Sequence, residues 1–382
     1  MINISSGKLV IGNGFDLYCG LKTKYEDFFN YEKKIYDQCR RFLDDTLNAG
    51  SYRMVSDRQI KNLKLHLENR ETFDSHECTF WNLYFYLRNI KENRLWCDIE
   101  REILNGLTDE NSIINAAINV INSFLENNEI IMEIDESFVL AKYYLLDNKK
   151  INQIINKEDY YRYLLKEIKR YELKFGEYVN KQLIENEDEY IRMAETIFYK
   201  LNKNNTILSL DSFNYTKIED IGDKILDFKI DLVKHINGDC FNPIFGIDSS
   251  LLNEIDEKFI FTKSNRRLEL LIDNKLIFDQ NDLLFYDLVI FGHSLNVQDY
   301  NYFFPLLDTM DLYDITKHSK IVLLYYVYDK EKEYEIRTCL INSLSKMLDA
   351  YEDYNGQTHK KRLLDKLIMQ GRLLVIDIKK IK

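Results

Sequence analysis

Three polar side chains with catalytic potential follow apolar runs at widely separated points of the chain: Asp16, Asn214 and His235. An imidazole titrates near neutral pH, so it is suited to take a proton from a ribose hydroxyl or from water. A carboxylate can stabilise positive charge that spreads over a sugar, and an amide can orient a hydroxyl or a water. Structural roles compete with these: a lone histidine is more often structural, and an asparagine after a strand can cap a turn.

Two glycine-containing loops are candidates for nucleotide binding. Glycine permits close approach of a ligand to the backbone, and the N–H groups at a helix start attract phosphate. The first loop follows an apolar run and precedes a helical pattern; its candidate residues are Gly12, Asn13 and Gly14. The second loop could hold a ribose through Gly292, Ser294, Asn296 and Asp299. A plain structural turn is the alternative for the first loop, and for Asp299 we favour a helix cap.

Short apolar runs of strand length must position these loops; they lie at 8–11, 206–210, 231–236, 287–292, 320–328 and 373–378. Alternation of such runs with helical patterns predicts an α/β fold with a mainly parallel, Rossmann-like sheet and helices on both faces. Ligands of such sheets bind beyond the carboxyl ends of the strands, where the candidate loops lie. Helical patterns dominate from 26 to 205. We therefore predict a nucleotide-binding core, 1–25 plus 206–382, and a large helical insertion or subdomain, 26–205.

Composition indicates the partners and the compartment. The 382-residue chain has a net charge of −11, which repels nucleic acid and membrane headgroups, so we expect neither as a partner. A small positive cluster, Lys263, Arg266 and Arg267, is interpreted as a solvated helix face. The six cysteines form no C-x-x-C pair, and the sequence has no signal segment and no long apolar span. We expect a cytoplasmic protein without a metal.

Four motifs occur in this order: N-G-F-D-L-x-x-G-L-x-T-x-Y-x-D-F at 13–28, F-N-Y-T at 213–216, H-x-x-G-D at 235–239 and F-G-H-S-L-N-x-x-D at 291–299. Together they resemble the AbiH family of phage abortive-infection proteins. The segment W-x-D-x-E at 96–100 resembles a further part of that family and adds Glu100 as a candidate site residue. Asp98 is two positions away and would not share its helix face.

The AbiH family in turn resembles the sirtuin-like fold, and this resemblance implies NAD⁺ as the ligand. It places the loop 12–21 at the dinucleotide and Asn214 in the polar element that follows a strand. It also places His235 at the position of the catalytic histidine, and 292–295 at the adenosine ribose. The zinc module of ordinary sirtuins has no counterpart here.

The leading hypothesis is hydrolysis of NAD⁺ to nicotinamide and ADP-ribose during phage infection, through an oxocarbenium-like ribose. Asn214 would orient ribose or water, His235 would act as general base, and Asp16 would stabilise the cation. The diphosphate would lie on 12–14, and Ser294 and Asn296 would hold the adenosine end.

Three alternatives remain open: a non-hydrolytic sensor of NAD or another nucleotide, a metal-dependent nuclease, and an interaction scaffold. A toxic NADase must be silent before infection. We therefore predict a phage-derived trigger, and control by homo-oligomer assembly or by occlusion by the helical region.

Overall fold

The elements of the chain are described over the following residues of the computed structural model: 6–48, 77–92, 99–126, 135–148, 154–202, 207–225, 230, 232–252, 256–273, 285–314, 316–327, 330–356 and 362–381.

The strands are β1 (Gly7–Ile11), β2 (Ile207–Ser212), β3 (Leu232–His235), β4 (Asp287–Phe291), β5 (Ile321–Tyr325) and β6 (Leu373–Asp377). The first helices are α1 (Asn13–Tyr18), α2 (Tyr25–Tyr31), α3 (Lys33–Asn48), α4 (Phe80–Glu92), α5 (Ile99–Thr108), α6 (Ile113–Leu125) and α7 (Glu136–Asn148). The later helices are α8 (Lys157–Glu185), α9 (Glu187–Asn202), α10 (Lys263–Ile272), α11 (Tyr300–Met310), α12 (Glu333–Tyr354) and α13 (Leu363–Met369).

Two compact units make up the chain. The first, the sheet unit, comprises Met1–Thr23, Gly176–Pro243 and Arg267–Lys382. The second, the helical unit, comprises Lys24–Phe175 and Ile244–Arg266. The division falls within α8, so residues 176–205 belong with the sheet, and residues 244–266 belong with the helices.

All six strands run parallel in the order β3-β2-β1-β4-β5-β6. This is the strand order of doubly wound dinucleotide-binding folds, with a switch point between β1 and β4. Every residue of β1, β4 and β5 is buried, which explains why these strands are nearly continuous apolar runs. The predicted mainly parallel, Rossmann-like sheet is confirmed.

Helices cover both faces of this sheet. Alternate residues of a strand point to opposite faces, so Leu9 and Ile11 contribute to one core and Val10 to the other. The Leu9 face packs with residues of α1 and α9. The Val10 face packs with α11, α12 and α13. The prediction of helices on both faces is thereby confirmed.

One ionic pair is buried inside the sheet. Lys8 of β1 donates to Asp211 of β2 at 2.9 Å, and the hydroxyl of Tyr302 on α11 also donates to Asp211. Both charged side chains are almost inaccessible to solvent. A buried charge is tolerated only when it is paired in this way, so the lysine fits a run that is otherwise apolar.

The helical unit has an aromatic core and buried ion pairs. Its largest fully buried side chains include Phe80, Trp81, Tyr84, Phe85, Tyr143, Tyr160 and Tyr171. Arg266 makes a bidentate pair with Glu172 of α8, at 3.0 and 2.7 Å, and Lys263 pairs with Glu100 of α5 at 2.8 Å. The sequence predicted that the positive cluster of Lys263, Arg266 and Arg267 is a solvated helix face. This interpretation is wrong, because Lys263 and Arg266 are only 3% and 4% exposed.

Across the described part of the chain, no helix combines the length and the apolar character that a bilayer crossing requires.

Candidate functional site

The loops that follow β1 and β4 meet at the switch point of the sheet. Gly12 donates its N–H to the carbonyl of Phe291 at 3.1 Å, and Gly14 donates to the carbonyl of Gly292 at 2.8 Å. In doubly wound folds, ligands bind in the crevice outside the carboxyl ends of the strands at this point. Loops from both halves of the sheet are therefore joined at the place where a nucleotide site is expected.

Close contact between the two loops explains the glycines at these positions. A Cβ on Gly12 would lie 2.6 Å from the Cα of His293, and one on Gly14 would lie 2.6 Å from the Cα of Gly292. Gly292 itself has a φ of +70°, which favours glycine. Backbone packing thus requires these residues whether or not a ligand binds, and their contact with a diphosphate stays a prediction.

Asn13 has a local structural role in the first loop. Its amide oxygen accepts from the hydroxyl of Thr23 at 2.5 Å, and its amide nitrogen donates to the carbonyl of Thr23 at 3.3 Å. These bonds tie the start of α1 to the segment that follows it.

The second loop is organised around His293. Its Nδ1 accepts the N–H of Leu295 at 2.9 Å, and its ring packs against Phe213 at a centroid distance of 4.3 Å. Asp299 occupies the N-cap position of α11, but the side-chain cap that we favoured is not formed, and its carboxylate lies 3.5 Å from Nε2 of His293. Ser294 is exposed at the surface of this loop, and Asn296 is half-buried.

Asp16 lies fully buried on α1, directly behind the first loop. The hydroxyl of Thr216 donates to both carboxylate oxygens at 3.0 Å, and the hydroxyl of Tyr190 donates to one of them at 3.2 Å. Burial raises the pKa of Asp16 to about 7, although these hydrogen bonds act in the opposite direction. The group therefore changes its charge near neutral pH.

Asn214 presents a buried amide after β2. The residue is 3% exposed, and neither polar atom of its side chain has a hydrogen-bond partner among the described residues. The amide lies near enough to Asp16 to lower the pKa of that carboxyl, but its geometry falls short of a hydrogen bond. The predicted alternative, a side-chain cap of the turn, is not formed. A buried unpaired amide is costly, and one explanation is a ligand that satisfies it.

His235 ends β3 and is held at both ring nitrogens. Nδ1 lies 3.2 Å from the carbonyl oxygen of Asn214, and Nε2 lies 2.7 Å from a carboxylate oxygen of Glu219. Burial alone would lower the pKa of His235, but the hydrogen bond and charge of Glu219 outweigh it, and the pKa is raised. Burial likewise opposes ionisation of Glu219, yet His235 lowers the pKa of that carboxyl. Both contacts of the ring are with acceptor oxygens, and this arrangement favours a protonated imidazole beside the Glu219 carboxylate.

The sheet unit thus brings together Asp16, Asn214 and His235 beyond the carboxyl ends of three adjacent strands. Two partners were not predicted from the sequence: Tyr190, from the distant α9, and Glu219, from the turn behind F-N-Y-T. Neither position carries a local motif that would identify it.

Glu100 belongs to the helical unit and pairs with Lys263. Asp98 lies outside the described residues. Among the residues that the structure describes, no three His, Cys, Asp or Glu side chains are grouped as metal ligands.

The substitution Asp16→Asn tests the buried carboxyl through the pH dependence of stability. The folded chain holds a proton that the unfolded chain releases between pH 3.8 and about 7, so this group makes the free energy of unfolding fall as pH rises. Between about pH 5 and about pH 8, we expect the free energy of unfolding of the wild-type chain to fall by roughly 3 kcal/mol relative to that of Asp16→Asn. Urea denaturation at a series of pH values measures this difference. The exposed Asp188→Asn should follow the wild type, and parallel curves for Asp16→Asn would contradict the assignment.

Comparison with known protein families gives a match over most of the chain. The family described as Bacteriophage abortive infection AbiH matches residues 9–325, which run from the middle of β1 to the end of β5 and include every candidate site residue. No curated protein and no solved structure matches significantly. The match covers well over half of the chain and contains both loops of the switch point together with the buried cluster of Asp16, Asn214 and His235. The chain therefore belongs to the AbiH family, whose role is abortive infection against bacteriophages.

Proposed function

We propose that this AbiH protein hydrolyses NAD⁺ to nicotinamide and ADP-ribose, and that the cluster of Asp16, Asn214 and His235 carries the reaction. The observation that supports the proposal is the position of this cluster. It lies beyond the carboxyl ends of β1, β2 and β3, next to the switch point of a sheet whose strand order is that of dinucleotide-binding folds.

Asp16 is suited to a cationic substrate. Nicotinamide departs from a pyridinium, and the ribose that remains has oxocarbenium character, so positive charge is present throughout the reaction. With a pKa of about 7, the carboxyl is partly protonated before the substrate arrives. A neighbouring cation favours the ionised form, so binding would release the proton and leave a carboxylate facing the developing charge.

Asn214 supplies the hydrogen-bonding capacity that a ribose needs. An amide has two donors and an acceptor, and in this chain all are buried without a partner among the described residues. A ribose hydroxyl would satisfy the amide and would be oriented by it.

His235 and Glu219 act in this proposal as one unit. Both ring nitrogens of His235 face acceptor oxygens, so in this proposal the imidazole donates to both of them and the predicted role of general base passes to its partner Glu219. The Glu219 carboxylate remains ionised and is 36% exposed, so it can reach water. We assign proton acceptance to this pair, with His235 holding the carboxylate in place.

The remaining assignments extend the proposal to the whole dinucleotide. The first loop would hold the diphosphate, and Ser294 and Asn296 would hold the adenosine ribose. The reaction would take place in the cytoplasm. The activity would be silent before infection, and a phage-derived trigger would release it through homo-oligomer assembly or through relief of occlusion by the helical region.

Incubation of the purified full chain with NAD⁺ tests the proposal. We expect nicotinamide release, and a loss of at least about a hundredfold in Asp16→Asn, Asn214→Ala and Glu219→Gln. The matched control is Asp188→Asn, which changes an exposed aspartate on α9 in the same way and should retain activity. The three site variants, expressed in phage-infected cells, should fail to deplete NAD⁺, whereas Asp188→Asn should deplete it.

A non-hydrolytic nucleotide sensor is the second candidate. It is favoured by the burial of Asp16 and Asn214 and by the engagement of both His235 ring nitrogens with acceptor oxygens. Calorimetry of the purified protein would show NAD⁺ binding in this case, and no nicotinamide would be released by the protein or in infected cells. That result would favour sensing and exclude hydrolysis. Intact NAD⁺ together with absent NAD⁺ binding would refute hydrolysis and NAD⁺ sensing alike.

A further inference from the structure

Two cysteines of the helical unit lie side by side. Cys39 is on α3, Cys78 lies two residues before α4, and their sulfur atoms are 3.3 Å apart. The residues are 1% and 7% exposed. Their separation of 39 positions and the lack of any C-x-x-C spacing mean that the fold, not a local motif, brings them together.

A cavity of about 370 Å³ is lined by both thiols. Its other lining residues include Gln38, Glu77 and Tyr143, so it is polar enough to hold water or a small polar molecule. The Tyr143 hydroxyl donates to the carbonyl of Cys78 at 2.8 Å and fixes the backbone at this wall. A small reagent in the cavity would therefore meet two adjacent sulfur atoms.

We infer that Cys39 and Cys78 are a modification site, a dithiol that a small hydroperoxide oxidises to a disulfide. Cys78 is the more exposed, so its sulfur attacks the peroxide first; the O–O bond breaks, an alcohol or water leaves, and a sulfenic acid forms. Cys39 then attacks that sulfur, the S–S bond forms, and the S–O bond breaks with release of water. The two thiols supply two electrons and two protons, and the peroxide is reduced.

The position of Cys39 beside Cys78 suits it to the second step, the attack on the oxidised Cys78 sulfur, more than to the first. The hydrogen bond with Cys78 and burial both raise the pKa of the Cys39 thiol, so Cys39 is poorly suited to attack the peroxide itself. The sulfurs lie 3.3 Å apart, so they must approach by roughly 1 Å more to reach the length of a disulfide bond. The product would join α3 covalently to the segment that leads into α4.

Peptide mapping of the folded wild-type chain tests this inference directly. The reduced full chain is treated with hydrogen peroxide, its remaining thiols are alkylated in denaturant, and the digest is examined by mass spectrometry. We expect a peptide pair linked through Cys39 and Cys78, lighter by two hydrogen atoms and lost on treatment with dithiothreitol. This link should exceed every other cysteine pairing by about tenfold or more, because the fold holds these sulfurs together.

Two variants separate the steps. Cys39→Ser should leave Cys78 as a sulfenic acid that dimedone traps, whereas Cys339→Ser, which removes an exposed thiol, should leave the link unchanged. Recovery of both thiols in alkylatable form while Cys339 is oxidised would overturn the inference, as would pairing of Cys78 mainly with another cysteine. The mapping needs no variant to fold, and its result does not depend on the chemistry proposed at the sheet.

Discussion

Replacement of Gly292 by alanine is expected to lower the free energy of unfolding by about 4–5 kcal/mol. The residue has a φ of +70°, and an added Cβ would collide with the nitrogen of Phe15 and lie 2.6 Å from the carbonyl carbon of Gly14. These are backbone atoms, so they cannot rotate away as the end of a side chain could. The two loops of the switch point would have to separate, and the hydrogen bond from Gly14 to Gly292 would be lost.

Gly356→Ala is the matched control for this prediction. Gly356 has nearly the same φ, +66°, but a Cβ there would meet no atom within 4 Å. This variant should lose only roughly 1–2 kcal/mol of the free energy of unfolding, which is the cost of placing alanine in a left-handed backbone conformation. Chemical denaturation of the two variants isolates the loop contact as their difference. Equal losses would show that the loops tolerate separation.

Arg266→Ala is expected to lower the free energy of unfolding by about 3–5 kcal/mol. The guanidinium makes two hydrogen bonds to Glu172, which also accepts the N–H of Phe245 at 2.7 Å. Burial raises the pKa of Glu172, and the neighbouring guanidinium counteracts it. Without the arginine, a carboxyl that is 1% exposed would remain without its counter-charge. Urea denaturation would measure the loss.

The pH dependence of this variant gives a second check. Loss of the guanidinium raises the pKa of Glu172 further, and a raised pKa removes stability as pH increases through it. Arg266→Ala should therefore be more stable, relative to wild type, in mild acid than in mild alkali. The control is Arg162→Ala, because Arg162 pairs with Glu158 on the exposed surface of α8. This substitution should lower the free energy of unfolding by less than about 1 kcal/mol. Similar losses for the two arginines would contradict the assigned role of burial.

Much of the sheet could be predicted from the sequence, since buried parallel strands are continuous apolar runs that local inspection detects. The candidate loops were found because each directly follows such a run. The grouping of Asp16, Asn214 and His235 then follows from parallel topology, which places the carboxyl ends of the strands along one edge.

Partners from distant parts of the chain could not be predicted in this way. Tyr190 is 174 positions from Asp16, and no spacing rule connects a tyrosine on one helix to an aspartate on another. The same limit explains the positive cluster on α10. A charged run is usually solvated, but Arg266 finds its carboxylate 94 positions away, on α8. In both cases the folded chain buries two residues that are far apart in sequence next to each other, and local spacing does not reveal this.

The position of β1 in the middle of the sheet has a consequence for synthesis. This strand leaves the ribosome before either of its neighbours, because β2 begins about 195 residues later and β4 later still. At roughly 5–20 residues per second, the nascent strand waits on the order of 10–40 s for its first neighbour. During that time a run of apolar residues lacks both of its strand partners, and unpaired apolar strands of this kind favour aggregation.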